Sequence, residues 1–120
     1  MQVSKEQDQK LANMKFSSVY PHYLNKVEKK GRTKEELLMV INWLTGFGPD
    51  EIDEFIRVQL SFEEFFNRAQ LNPNATLIKG LICGYRVEEI DYPLTQKVRY
   101  LDKLVDELAK GKSLDKIFRK

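Results

Sequence analysis

The sequence contains few of the residues on which many protein chemistries depend. It has one cysteine and one histidine in 120 residues, which excludes an intrachain disulfide, a thiolate metal cluster and a pair of histidine metal ligands on a helix. No apolar run approaches the roughly 20 residues that span a bilayer, and the polar amino terminus lacks the apolar core of a signal peptide. We therefore expect a cytoplasmic protein that has no membrane contact and no cofactor.

The sequence also lacks a strong excess of charge of either sign. Twenty basic and 18 acidic side chains leave a net charge of +2, so no overall field directs the chain to nucleic acid or to anionic lipid. Apolar residues make up 42% of the chain and aromatic residues 11%, which is typical of a folded protein. The length suits one domain with a modest core.

The carboxy-terminal segment, Asp91 to Lys120, has the clearest pattern in the chain. Its apolar residues recur at helical spacing: Leu94, Val98, Leu101, Leu104, Val105 and Leu108. This pattern predicts a long amphipathic helix that Gly111 stops and a short basic turn that Ser113 caps, with an apolar side formed by Leu114, Ile117 and Phe118. The apolar stripe must pack against the rest of the chain or against another molecule.

Two helices are predicted in the first part of the ordered chain. Ser17 or Ser18 caps the first, whose buried stripe is Tyr20, Tyr23, Leu24 and Val27. Pro21 is tolerated because it would fall in the first turn, and Gly31 ends the helix. Thr33 and Glu36 then have the spacing of a capping box, which predicts a second helix from Thr33 to about Thr45.

Further helix starts follow closely. Gly46 and Gly48 break the second helix, and Pro49 suits the first position of a third. Ser61 and Glu64 repeat the capping-box spacing and begin a fourth, so that little length remains for a sheet. An acidic run marks these two starts: Asp50, Glu51, Asp53, Glu54, Glu63 and Glu64. Compensation of the helix dipole explains its first four members without a bound cation.

These patterns predict an all-α fold. We expect a compact single-domain bundle of about five or six short helices at varied crossing angles, with the long carboxy-terminal amphipathic helix and Trp43 in its core. Residues 1–13 are predicted to be a polar tail or a peripheral helix, and residues 14–120 the helical domain. Residues 72–84 fit either a helix or a buried strand, although Asn72 and Pro73 favour a helix.

One candidate ligand or partner surface comprises Tyr20, His22, Cys83, Tyr85 and Arg86. Cys83 lies in an apolar stretch, where a thiol is usually a small buried hydrophobe. If the fold brought Cys83 and His22 together, they would instead form a nucleophile pair, and a small-molecule site or enzyme would be an alternative function. Tyr85 and Arg86 have the chemistry to stack on and clamp a ligand.

A second alternative is nucleic-acid binding. The candidate patch is Lys26, Lys29, Lys30 and Arg32, at a short glycine-containing turn between the first two helices, as in a helix-turn-helix. Glu35 and Glu36 in the first turn of the second helix argue against it, because they would approach phosphates.

Long strings of the sequence resemble a known family. The stretches KFSSVYPHYLNKVEKKGRTKEELLMVINWLTGF, LNPNATLIKGLICGYRVEEI and PLTQKVRYLDKLVDELAKGKSLDKIFRK are similar to the small bacterial family called domain of unknown function 2200. The similarity covers nearly everything from Met14 onward. It implies an all-helical, cytosolic bacterial protein, and it supplies no catalytic or ligand residues to carry over.

No catalytic constellation stands out, whereas amphipathic surface is plentiful. The favoured hypothesis is therefore a non-enzymatic protein-interaction or dimerisation module, with a homodimer as one form. Its expected contact is the carboxy-terminal segment, and removal of Ser113 to Lys120 is expected to abolish association while leaving the fold intact.

Overall fold

A computed structural model of the protein describes residues 3–120; the first two residues of the predicted tail lie outside that range. Within it the chain forms seven α-helices: α1 (Lys5–Asn13), α2 (Phe16–Glu28), α3 (Lys34–Thr45), α4 (Pro49–Arg57), α5 (Phe62–Arg68), α6 (Pro93–Ala109) and α7 (Leu114–Ile117). Short 3₁₀ helices occupy Pro73–Leu77 and Val87–Glu89, and a small hairpin joins β1 (Leu81–Ile82) to β2 (Tyr85–Arg86). The all-α prediction is confirmed, and of the two alternatives for the amino-terminal residues, a polar tail or a peripheral helix, the residues of α1 form a helix.

Helix α6 is the centre of the packing. It contacts α1, α2, α3, α5, α7 and the hairpin. Its predicted stripe is buried, with Val98, Leu101, Leu104, Val105 and Leu108 each at most 2% exposed. The partner of this stripe is thus the rest of the chain.

Phenylalanine side chains from the loops and helices between residues 16 and 66 make the other half of the core. Phe65 is fully buried and stacks on Phe16 with 4.5 Å between ring centroids. Phe47 meets Phe65 edge-on at 5.0 Å. These aromatic pairs pack side chains of α2 and α5 and of the segment between α3 and α4 against one another.

The start of α3 follows the sequence signal. The Glu36 amide donates to Thr33 Oγ1 at 3.1 Å, and Glu36 Oε1 accepts from the Thr33 amide at 3.0 Å. Gly46 ends the helix with φ of +81°, a left-handed conformation that suits glycine, and Pro49 opens α4. The predicted break between α3 and α4 is confirmed.

The predicted start of α2 at Ser17 or Ser18 is wrong. The helix begins at Phe16, whose amide donates to the Leu60 carbonyl at 2.9 Å, while the Phe62 amide donates to the Met14 carbonyl at 2.8 Å. This bridge to the start of α5 satisfies a backbone group at the helix end, so no serine cap is needed. Pro21 consequently lies inside α2 rather than in its first turn.

Residues 72–84 form neither one helix nor one strand. Asn72 and Pro73 do open a helical segment, but it is a short 3₁₀ helix that ends at Leu77. Leu81 and Ile82 then pair with Arg86 and Tyr85 in the antiparallel hairpin. The sequence analysis therefore did not predict this hairpin, whose strands are two residues long.

Candidate functional site

An apolar concavity lies along the outer side of α3. Its apolar lining is formed by Leu38, Met39, Trp43, Pro49 and Phe118. Glu35 and Asn42 complete it, and the volume is about 430 Å³, within the usual range of ligand pockets. Met39 is 48% exposed although it is a large apolar side chain. We call this concavity the α3 groove.

The floor of the α3 groove depends on the carboxy terminus. The Trp43 and Phe118 rings stack with 6.1 Å between centroids and 11° between planes. Ile117 anchors Phe118, because its own side chain is fully buried in the core. The prediction that Trp43 belongs to the core needs correction: it is only partly buried, since its outer face lines the groove.

A second concavity brings together two residues that the sequence paired. His22 on α2 and Cys83 in the hairpin both line a cleft of about 250 Å³, together with Tyr23 and Asp102. The expectation of a buried Cys83 is wrong, because its thiol is exposed. Cys83 and Gly84 form the two-residue hairpin loop with φ of +52° and +83°, the signs of a type I′ turn, which directs a side chain outward to solvent.

Arg99 on α6 forms hydrogen bonds with two residues that line this cleft, Cys83 and Asp102. Arg99 Nη1 donates to Cys83 Sγ at 3.4 Å and to Asp102 Oδ2 at 2.7 Å. The Tyr23 hydroxyl donates to Asp102 Oδ1 at 2.5 Å. Burial, followed by the neighbouring Asp102 carboxylate, raises the pKa of Tyr23 well above its ordinary value. Tyr23 therefore remains a hydrogen-bond donor at neutral pH.

The other members of that candidate surface lie elsewhere. Tyr20 is buried, and its hydroxyl has no hydrogen-bond partner among residues 3–120. Tyr85 and Arg86 line a separate concavity beside Val3. The structure thus unites His22 and Cys83 but does not place Tyr20 or Arg86 in their cleft.

The candidate nucleic-acid patch is smaller than the sequence suggested. Lys26 Nζ lies 3.2 Å from Asp106 Oδ1, and Arg32 pairs with Glu36 at 2.8 Å. Arg32 also donates to the carbonyls at the end of α6, at 3.0 Å from the Lys112 oxygen. Arg32 therefore serves the fold, whereas Lys26, whose side chain is 47% exposed despite its ion pair, remains at the surface with Lys29 and Lys30.

The acidic run has local partners for several of its members. Glu51 accepts from the Gly48 amide at 3.0 Å, and Glu54 pairs with Arg57.

No group of three or more acidic, histidine or cysteine side chains within residues 3–120 is arranged to hold a metal ion. Across the same residues, none of the helices combines the length and apolar character needed to cross a membrane.

Comparison with known proteins gives a family. The family model described as "Uncharacterized protein conserved in bacteria (DUF2200)" matches residues 10–119. The chain belongs to the DUF2200 family. This DUF2200 protein is also similar to a solved structure, the crystal structure of uncharacterized protein SP1917, with 44% identity, a TM-score of 0.84, and coverage of 91% of this chain and 90% of that chain. No curated protein matches it.

Sequence reasoning missed the α3 groove of this DUF2200 protein. A helical stripe identifies the buried face of α3, and the structure confirms that Leu37, Val40, Ile41 and Leu44 form it. Leu38 and Met39 lie off that stripe, and this is the signal that was available: large apolar side chains on the face that should be polar. Phe118 was predicted as part of the apolar side of the carboxy-terminal turn, but no sequence signal placed it beside Trp43.

Proposed function

We propose that this DUF2200 protein is a non-enzymatic protein-interaction module whose contact surface is the α3 groove. The observation that carries the proposal is the contiguous apolar lining of the groove, which joins Leu38, Met39 and Trp43 to Phe118 on one face. Apolar patches bordered by polar residues are typical of protein contact sites. A groove beside an exposed helix suits an amphipathic helix of a partner, which inserts side chains at helical spacing.

The proposed contact surface differs from the one expected from the sequence, which was the carboxy-terminal segment. The carboxy-terminal segment contributes Phe118 to the groove, but Ile117 is fully buried against the chain's own core. Removal of Ser113 to Lys120 would therefore expose apolar core as well as change the groove. Point substitutions on α3 provide the cleaner test of association.

Trp43 makes that test direct, because it is the one tryptophan of the chain and lines the groove. The probe is a synthetic 18-residue amphipathic helix with leucine on one face, glutamine on the other and no tryptophan. We expect a saturable change in Trp43 emission. Met39→Ser should weaken binding by about 4- to 13-fold, since full burial of a methionine side chain is worth roughly 1.5–3 kcal/mol and about half of Met39 is already buried.

Val58→Ser is the matched control. Val58 is 47% exposed, against 48% for Met39, and does not line the groove. Unchanged Trp43 emission, or equal affinities of the two variants, would contradict the proposal. Native mass spectrometry at low salt separates dimerisation from binding of a different partner: a dimer that Met39→Ser removes would identify a second copy as the occupant.

The cleft shared by His22 and Cys83 favours a second candidate, a thiol-dependent small-molecule site. The supporting observation is that an exposed thiol lies in one cleft with an imidazole and accepts a hydrogen bond from Arg99 Nη1 at 3.4 Å. Alkylation by iodoacetamide at neutral pH tests it. Slower alkylation in His22→Ala and Arg99→Gln would support this function, and rates equal to those of the wild-type protein would contradict it.

A further inference from the structure

The charged border of the α3 groove is acidic. Glu35 is the charged member of the groove lining within residues 3–120. Asp53 does not itself line the groove, but it lies one turn beyond Pro49, which does, on the same side of α4. Both side chains are exposed, and neither carboxylate forms an ion pair with a basic group of the described chain.

The buried hydroxyl of Tyr20 is also influenced by acidic side chains, Glu35 among them. Tyr20 is 7% exposed, and its hydroxyl oxygen finds no hydrogen-bond partner among residues 3–120. Burial raises the pKa of Tyr20, and the carboxylates of Asp53, Glu28 and Glu35 raise it further. Three acidic side chains from α2, α3 and α4 thus face one region without a compensating cation of their own.

A second copy of the chain would fit this border poorly. A symmetric pair that joins two α3 grooves would place the acidic border of one copy beside that of the other, and like charges across an interface oppose association. Four lysines line a different concavity: Lys103 on α6, Lys110 and Lys112 just after it, and Lys116 on α7. A head-to-tail contact between one copy's groove and another copy's lysines leaves a groove open in each pair, and such contacts form rings or chains rather than closed dimers.

We infer that the occupant of the α3 groove is a basic amphipathic helix of another protein, with lysine or arginine flanking its apolar face. The inference rests on the proposed function and names the partner chemistry. Leu38, Met39, Trp43 and Phe118 receive the apolar face. Glu35, which lines the groove, and Asp53 beside it receive the basic side chains.

The experiment compares three 18-residue peptides that share one leucine face and carry lysine, glutamine or glutamate at the polar positions. Affinity is measured from Trp43 emission and by calorimetry at low and moderate salt. We expect the lysine peptide to bind more tightly than the glutamine peptide and the glutamate peptide to bind most weakly. The advantage of lysine should shrink as salt rises, because exposed charges are screened over about 10 Å at 0.1 M.

A charge-neutralised variant assigns that advantage to the border. Glu35→Gln with Asp53→Asn should lower affinity for the lysine peptide about 2- to 30-fold, as the loss of two exposed ion pairs implies, and should leave the glutamine peptide unaffected. Glu63→Gln with Asp91→Asn removes the same charge from exposed positions that do not line the groove. This control should retain wild-type affinity for every peptide.

The outcomes separate this inference from the proposed function. Equal binding of the lysine and glutamine peptides, both weakened by Met39→Ser, would overturn the basic partner and leave the groove as the contact surface. Lysine-peptide binding that Met39→Ser does not weaken would overturn both, since charge alone would then explain it. A lysine preference that both Met39→Ser and the acidic-border variant reduce would support the inference.

Discussion

Arg119 donates two hydrogen bonds to the carboxylate of Glu107, from Nη1 to Oε1 at 2.6 Å and from Nη2 to Oε2 at 2.7 Å. The two side chains are only 14% and 8% exposed. The Arg119 carbonyl also accepts a hydrogen bond from the Asn74 side chain at 3.1 Å. The residues after α6 are therefore held to α6 and to the 3₁₀ helix at Pro73–Leu77, which keeps Phe118 beside Trp43.

Arg119→Met should destabilise the protein strongly. Loss of one partner from a buried ion pair leaves the other charge uncompensated, which typically costs about 3–5 kcal/mol. Lys112 Nζ lies 3.4 Å from Glu107 and offsets part of that cost, so we expect about 3 kcal/mol in the free energy of unfolding. Urea denaturation followed by far-ultraviolet circular dichroism measures it.

The double variant Glu107→Met with Arg119→Met is the decisive control. Removal of both charges eliminates the uncompensated carboxylate, so stability should return to within about 1 kcal/mol of the wild-type value. Lys120→Met changes an exposed neighbour and should have little effect. A double variant as unstable as Arg119→Met would show that packing of the arginine, rather than its charge, matters.

Asp8→Ala should loosen α1 from the domain. Asp8 Oδ1 accepts hydrogen bonds from the Thr95 amide at 3.2 Å and from Thr95 Oγ1 at 2.5 Å, so a residue of α1 caps the first turn of α6. Loss of such a cap costs about 0.5–2 kcal/mol. We expect that loss in chemical denaturation, with faster proteolysis at the end of α1. Glu6→Ala, an exposed change on the same helix, should reproduce neither effect.

The sequence predicted those helix starts and ends that depend only on residues close together in the chain. The capping box of Thr33 and Glu36 needs only side chains three residues apart, and the left-handed residue Gly46 needs only its own freedom at positive φ. The hairpin loop at Cys83 and Gly84 has only half of a local signal, since glycine suits the second position of a type I′ turn but asparagine or aspartate, not cysteine, is usual at the first. The apolar run around it favoured burial instead.

The candidate site could be predicted only in part, because its contacts join distant segments. The stacking of Trp43 on Phe118 depends on how α7 returns across α6, which helical periodicity does not encode. The same holds for Asp8 and Thr95, which are 87 residues apart. His22 and Cys83 were paired from their chemistry, but only the fold shows that they share a cleft and that Tyr20 does not.

Cys83→Asn should stabilise the protein. Cys83 has φ of +52°, a conformation that costs most side chains about 1–2 kcal/mol but that asparagine adopts readily. With Gly84 it would give the Asn-Gly pair that two-residue hairpins prefer. We expect a gain of up to about 1 kcal/mol by urea denaturation. Cys83→Ala removes the thiol without relieving the backbone, so an equal gain in that variant would contradict this explanation.

Tyr23→Phe should change how stability depends on alkaline pH. The pKa of Tyr23 is raised by burial and by Asp102, so the folded protein retains this proton above about pH 10, where an unfolded tyrosine releases it. The stabilisation of the folded protein by the protonated Tyr23 hydroxyl is therefore fully present below about pH 10. It is lost as pH rises from there toward the folded-state pKa. Wild-type stability should fall steeply in that range. The phenylalanine variant should be less stable at pH 7, because Asp102 loses a donor, but should decline less steeply. Urea denaturation between pH 7 and pH 11 measures both curves, and parallel curves above about pH 10 would contradict the assignment to Tyr23.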